Sequence, residues 1–250
     1  MSLSTNQIKF LSNLGKKKFR DEHELFVVEG VKMVEEAIHQ SRISIESIYA
    51  VNNWIGKNGF LLNDNSLEII EIKEKELARI SNLKNPNQVF CVCKQRIETE
   101  SQIEIEDLTL FLDRIRDPGN MGTILRIADW FGIEKVILSP ECVEIYNPKV
   151  VQASMGAIFR IQVLEKDFEN LYEENPNAQF FATTLAGKNV FTIEKPKLSV
   201  LIIGNESHGI APEILEKVDD KISIPAPKNN RSESLNAAIA TGIICSVFRN

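Results

Sequence analysis

The chain has 250 residues, 43% of them hydrophobic and 26% charged, which suits one large or two modest globular cores. It has no run of about 18 apolar residues, so no membrane-spanning helix is expected. Its opening, MSLSTNQIKFLSNLGKKKFR, has no apolar signal core, so a cytoplasmic protein is expected. The net charge of −6 argues against a general nucleic-acid coat and leaves local basic patches, Lys16-Lys17-Lys18 with Arg20 and residues 228–231.

In chain order, residues 5–17 read as a helix with Ile8, Leu11 and Leu14 on one side. Residues 25–28 read as a strand, followed by Glu29-Gly30 and a helix facing inward with Val31, Val34, Ala37 and Ile38. Strands follow at 45–51, 67–72 and 89–93, with an irregular stretch at 54–65 and a short helix at 73–80. This alternation makes residues 1–93 a small α/β domain. Residues 94–107, KQRIETESQIEIED, are polar and read as a linker.

A second α/β domain is expected over 108–250. Its strands fall at 108–112, 135–138, 160–163, 179–183, 199–203 and 221–224. Its helices start near Asn120, Pro148, Asp167, Pro212 and Ser234, and a right-handed parallel sheet is the default for such a pattern. The last helix is apolar nearly all round, from Leu235 through Phe248, and is expected to be buried. Cys91 and Cys93 lie two apart on one strand, which is not a zinc-ligand spacing. With only His23, His39 and His208 to help, no metal site assembles. Reduced thiols are expected.

Three polar clusters stand at three strand ends. Pro118-Gly119-Asn120 follows the first strand of the second domain, and Arg126 falls off the apolar face Met121, Ile124, Leu125, Ala128. Gly204-Asn205-Glu206-Ser207-His208-Gly209 follows the strand at 199–203. Ile224-Pro225 leads to Ser234-Leu235-Asn236 at the head of the last helix. In open α/β sheets such strand ends form the ligand crevice. Singly, Asn120 and Ser234 read equally well as helix caps and Asn205 as a turn residue. The phosphate-loop patterns G-x-G-x-x-G and G-x-x-x-x-G-K-[ST] are missing, and Glu206 would repel a phosphate, so a neutral or cationic ligand fits better.

In order and spacing, N-x5-R, G-N-E-x-x-G and I-P…S-L-N-x-x-x-A resemble the three motifs of the SpoU (TrmH-type) RNA ribose 2′-O-methyltransferases of the SPOUT superfamily. The resemblance implies a parallel-sheet α/β domain with a C-terminal trefoil knot, and a homodimer formed around the last helix. It implies S-adenosylmethionine as cofactor, held by Thr184, Leu185, Ala186, Gly204, Ile224, Ser234 and Leu235. It implies Asn120, Arg126, Glu206, Ser234 and Asn236 as catalytic residues. Phe26-Val27-Val28-Glu29-Gly30 is similar to the start of the ribosomal-protein-like substrate-binding domain that precedes many such domains. The implied partner is ribosomal or transfer RNA, with ribosomal RNA favoured. The loop Ala226 to Glu233 departs from the shorter turn usual there. A non-catalytic RNA-binding protein and an enzyme using another nucleotide are the competing readings.

Overall fold

The computed structural model describes residues 2–58, 67–96, 102–227, 229 and 233–249. Contacts divide the chain into two compact units, Met1–Ile97 with Glu144–Phe159, and Glu98–Val143 with Arg160–Asn250.

The first unit opens with α1 (Thr5–Asn13) and α2 (Lys17–His23), two helices where the pattern predicted one. Ser4 caps α1 and is bonded in return by Gln7, which satisfies the first free amides. The break falls where Leu14 turns fully inward and Gly15 meets Asn82; a Cβ at Gly15 would lie 2.4 Å from Asn82 Oδ1. There follow β1 (Leu25–Glu29), α3 (Val31–Ile38), β2 (Ile45–Ala50), α4 (Asn52–Lys57), β3 (Ile69–Glu71), α5 (Glu74–Ile80) and β4 (Val89–Lys94). The sheet runs β1-β4-β2-β3, antiparallel except between β2 and β3. On α3 the buried residues are Met33, Val34 and Ala37, so Met33 takes the inward place expected of Val31. Trp54, expected in an irregular stretch, is a fully buried residue of α4; residues 59–66 of that stretch lie outside the described ones.

Residues 144–159, expected in the second domain, pack with the first unit. Arg20, expected in a surface basic patch, is only 1% exposed. It donates through Nε and Nη2 to Glu144 at 3.0 and 2.5 Å and through Nη1 to the Leu14 carbonyl at 2.9 Å. Such a planar, bidentate pair is the form in which a guanidinium tolerates burial. Tyr146 stacks on Phe26 with ring centroids 4.5 Å apart.

The second unit carries β5 (Thr109–Leu112), α6 (Pro118–Trp130), β6 (Lys135–Leu138), β7 (Gln162–Glu165), α8 (Phe168–Glu174), β8 (Gln179–Asn189), β9 (Ser199–Ile203), α9 (Pro212–Lys217), β10 (Asp220–Ser223) and α10 (Ala237–Phe248). The intervening α7 (Pro148–Ser154) belongs to the first unit. Six strands form one sheet in the order β10-β8-β9-β5-β6-β7, and every pairing is parallel. β5 and β9 are buried at every residue, as strands covered on both faces must be. From β5 the chain steps outward to β6 and β7, then returns on the other side of β5 as β8 and β9. The strand order therefore reverses between β5 and β9, and the crevice beyond their carboxyl ends is the favoured ligand position.

Two residues of the expected linker are core. Ile103 and Ile105 are 1% and 5% exposed and join Phe111, Phe168 and Phe180 in one apolar cluster. Their amides donate to Glu174 and Asn175. Ile-Glu alternation over 103–106 gives the segment one apolar edge that overall polarity concealed. The last helix is buried on one side, at Ala238, Thr241, Ile244, Cys245 and Val247, and packs against α6. Its other residues are half-buried except Ile239, which is 57% exposed.

Candidate functional site

The site grows from the end of β5. Asp113 is 2% exposed, and its carboxylate accepts from Arg114 Nε at 3.0 Å, Arg114 Nη2 at 3.1 Å and the Ala211 amide at 2.8 Å. Arg114 adopts a left-handed backbone, φ +54°, at a cost of about 1 kcal/mol for a non-glycine residue. Its amide donates to Ser139 Oγ at the end of β6, and its carbonyl accepts from Asn205 Nδ2 at 2.7 Å. The loops after β5, β6 and β9 are thus joined by Asp113, Arg114, Ser139 and Asn205. Sequence reasoning gave Asp113, Arg114 and Ser139 no role. Their only signal is a charged pair directly after an apolar strand.

The next turn starts α6. Asp117, not Asn120, is its N-cap, accepting from the Asn120 amide at 2.7 Å with Pro118 in the first turn. Asn120 is therefore a helical residue whose side chain is released from capping. Its Nδ2 donates to Glu206 Oε1 at 2.7 Å, and its Oδ1 accepts from Asn236 Nδ2 at 2.8 Å. Asn236, not Ser234, caps α10: its Oδ1 accepts from the amides of Ala238 and Ile239 at 3.0 and 3.2 Å. This fixes every amide orientation. Two N–H groups demand the oxygen of Asn236, so its NH2 faces Asn120, whose own NH2 must then face the Glu206 carboxylate. One directed chain, Asn236 to Asn120 to Glu206, connects the three motifs. Ser234 stands exposed just ahead of the cap. Arg126 projects exposed from α6 and makes no hydrogen bond or ion pair among the described residues, so Glu206 engages Asn120 and not the arginine.

The β9 loop is closed on itself. Asn205 and Gly209 exchange backbone hydrogen bonds at 3.1 and 2.9 Å, and Asn205 Oδ1 accepts from the amides of Ser207 and His208. Gly204 was expected to admit a ligand. Its missing side chain also admits the chain itself: a Cβ would lie 2.5 Å from Gly209 C and Ile210 N.

Beyond β9, the strand β8 leaves its ladder. Lys221 pairs with Ala182 and Ile222 with Lys188, so residues 183–187 have no partner on β10. Thr184, Leu185 and Ala186 lie in this bulge, and Leu185 is 76% exposed. Thr184 Oγ1 donates to the Ala186 carbonyl at 3.0 Å, and Thr183 Oγ1 to the Ile202 carbonyl at 2.8 Å. Ile224 is half-buried and Leu235 is 48% exposed. Unpaired strand backbone beside apolar side chains, with no Lys or Arg among these residues, suits a nucleoside bearing no phosphate. S-adenosylmethionine has that chemistry.

Other chemistries find no support. Among the described residues no group of three His, Cys, Asp or Glu is placed to hold a metal ion. Burial pushes the Cys245 thiol up to about 12 and raises Cys142, while the adjacent Cys93 thiol together with burial holds Cys91 well above the usual range. None of these three is a thiolate nucleophile.

The match to known proteins is extensive. Residues 107–246 fit the SpoU rRNA Methylase family, and residues 5–91 fit the MRM3-like substrate binding domain. A TrmH-family protein from Porphyromonas gingivalis is 36% identical, with 99% of this chain and 98% of that one covered at a TM-score of 0.85. The AdoMet-bound rRNA methyltransferase from Sinorhizobium meliloti is 30% identical, with 100% and 97% covered at a TM-score of 0.87. The 23S rRNA (guanosine(2553)-2'-O)-methyltransferase RlmP of Bacillus subtilis is 26% identical over 246 residues, with 97% and 96% covered. With its three motifs joined at the reversal of a parallel sheet and more than half its length matched, the chain belongs to the SpoU rRNA methylase family, as an S-adenosylmethionine-dependent RNA 2′-O-methyltransferase of the SPOUT superfamily.

Proposed function

We propose that the protein methylates a ribose 2′-hydroxyl of ribosomal RNA, with the first unit selecting the RNA and the second performing the transfer. The observation that carries the site assignment is the Asn236–Asn120–Glu206 chain, because it converges three separated motifs on one place. Ribosomal RNA is favoured over transfer RNA because the relative RlmP is named for a ribosomal substrate and the N-terminal part fits a substrate-binding domain model.

S-adenosylmethionine, when bound, supplies the methyl group; Thr184, Leu185, Ala186, Gly204, Ile224, Ser234 and Leu235 would hold it. Arg126 holds the phosphate flanking the target ribose and favours the developing alkoxide. It does not act as a base, since a guanidinium holds its proton too firmly to accept another group's. Asn120 and Asn236 set the ribose position, Glu206 holds Asn120 in orientation, and Ser234 contacts the ribose or its phosphate. Holding the hydroxyl in line for attack supplies several kcal/mol of the barrier.

The protein acts as a cytoplasmic homodimer with a trefoil knot through which α10 is threaded. Three exposed apolar side chains support pairing around this region: Trp130 at 84% on α6, Ile239 at 57% on α10 and Leu235 at 48% before it. Light scattering at micromolar concentration tests the dimer; a monomer refutes it. The activity is tested by incubating the protein with tritiated S-adenosylmethionine and deproteinised ribosomal or transfer RNA from bacteria. Label in ribosomal RNA that is lost with Arg126→Ala and Asn236→Ala is the expected result. Label in transfer RNA alone refutes the substrate assignment.

A further inference from the structure

An enzyme of RNA needs a surface that attracts a polyanion, and the second unit does not supply it in bulk. Glu98–Val143 with Arg160–Asn250 carries 14 Lys and Arg against 22 Asp and Glu, a formal −8, whereas the first unit carries 15 against 13. Attraction must come from a local cluster, and one is assembled inside the first unit from two segments, residues 13–18 and 82–87, that are far apart in sequence.

The assembly rests on Glu29, a carboxylate only 5% exposed at the end of β1. It accepts from Ser81 Oγ, from the Asn82 amide at 2.9 Å and from Asn82 Nδ2 at 3.0 Å. Ser81 Oγ in turn accepts from the Leu83 amide at 3.0 Å. A buried carboxylate with three donors is satisfied, so its charge is spent internally on holding the loop. The pinned Asn82 lies against Gly15, where a Cβ would come within 2.4 Å of Asn82 Oδ1. The turn after α1 and the loop after α5 therefore share one edge.

The charges on that edge are unequal. Arg20 is neutralised by Glu144, and Lys17 pairs with Asp21 at 2.7 Å. Lys16 bonds only the neutral Asn13. Lys18 and Lys84 are exposed and have no partner among the described residues. Residues 13–20 and 82–88 contain no acid, while Asn82, Asn85 and Asn87 stand exposed between the cations. Ammonium groups interleaved with amide donors and acceptors suit phosphate and ribose oxygens read without sequence.

We propose that the edge where residues 13–18 meet residues 82–87 grips the sugar–phosphate backbone of the substrate RNA, with Lys16, Lys18 and Lys84 as its phosphate contacts. This rests on the RNA reading above and adds where the RNA is held. The test is binding of bacterial 23S ribosomal RNA to the full-length protein across a salt series, with cofactor binding measured beside it by calorimetry. Lys18→Gln/Lys84→Gln is compared with Lys57→Gln/Lys75→Gln, two exposed lysines placed elsewhere on the same unit. Each lost phosphate contact lowers the slope of log affinity against log salt by about 1, so the first pair should lower it by about 2 and weaken binding roughly ten- to thirtyfold near physiological salt. The second pair should leave the slope unchanged, and both should keep wild-type affinity for S-adenosylmethionine. Equal slopes in the two pairs overturn the proposal. Wild-type protein that binds the cofactor but no RNA overturns the RNA reading itself, a result separable from the first.

Discussion

Two parts of the candidate site are in different states of readiness. The Asn236–Asn120–Glu206 chain is complete within the protein itself: each amide has its partners, and the orientation of each is forced by the next. Arg126 and the bulge at 183–187 are open: among the described residues the guanidinium has no partner, and residues 183–187 have no ladder partner on β10. The difference teaches where ordering falls during a catalytic cycle. The asparagines are oriented during folding, so they cost nothing further when substrate arrives. The arginine and the bulge find their partners only in ligands, so their interactions appear in binding and in the rate.

The largest expected effect therefore belongs to the open part. Arg126→Ala should lower kcat by about 10²- to 10³-fold, the loss typical of removing one donor to a developing oxyanion, while thermal stability stays at wild type. Arg126→Lys should rescue little, because a point charge does not reproduce a planar fork. Single-turnover methyl transfer checks both. A fall in melting temperature with Arg126→Ala would mean that the arginine already has a structural role and that the contrast is false.

The complete part rests on the tie beneath it, and there the effect should be on stability. Asp113→Ala leaves the half-buried Arg114 and the Ala211 amide without their acceptor, at a cost of about 3 kcal/mol. Chemical denaturation measures it. The same loss should loosen Asn205, which hangs on the Arg114 carbonyl, so activity per folded molecule should fall too.

The two parts were also unequally legible in the sequence. The strands β6 and β9 fall on the expected residues, 135–138 and 199–203, because strands covered on both faces are written as unbroken apolar runs. Asn120, Glu206 and Asn236 were found as motif members, but their mutual bonding was not, since Asn120 and Ser234 look like caps until Asp117 and Asn236 are seen in those places. Arg20 was read as a surface charge because its neighbours are lysines; only Glu144, 124 positions away, makes it an interior residue. At Gly204 the glycine is required by close packing against Gly209 and Ile210, a demand separate from any ligand its backbone faces. For Arg20 and the asparagine chain the missing information is a partner distant in sequence, of which local pattern carries no trace.

Within the complete chain, Asn120→Ala sharpens the comparison further. It leaves Glu206 and the Asn236 NH2 without protein partners, but both are at the surface and water replaces the lost bonds. The stability cost should be about 1 kcal/mol. A double-mutant cycle of Asn120→Ala with Glu206→Gln should show coupling in kcat, and additivity there would break the chain as a functional unit.

The smallest effect tests the bulge. Leu185 is an exposed apolar side chain on a segment with no ladder partner on β10, so changing it should cost the fold little. If it covers the cofactor's adenosine, it becomes buried only in the complex. Removing most of a leucine's apolar contact costs about 1 kcal/mol when the burial is partial, so Leu185→Ser should raise the Kd for S-adenosylmethionine about fivefold with the melting temperature of the free protein unchanged. Calorimetry at saturating and subsaturating cofactor reads the first, and a thermal scan without cofactor reads the second. An unchanged Kd would move the bulge out of the cofactor site. The asparagine chain would then stand beside a ligand held by the β9 and α10 loops alone.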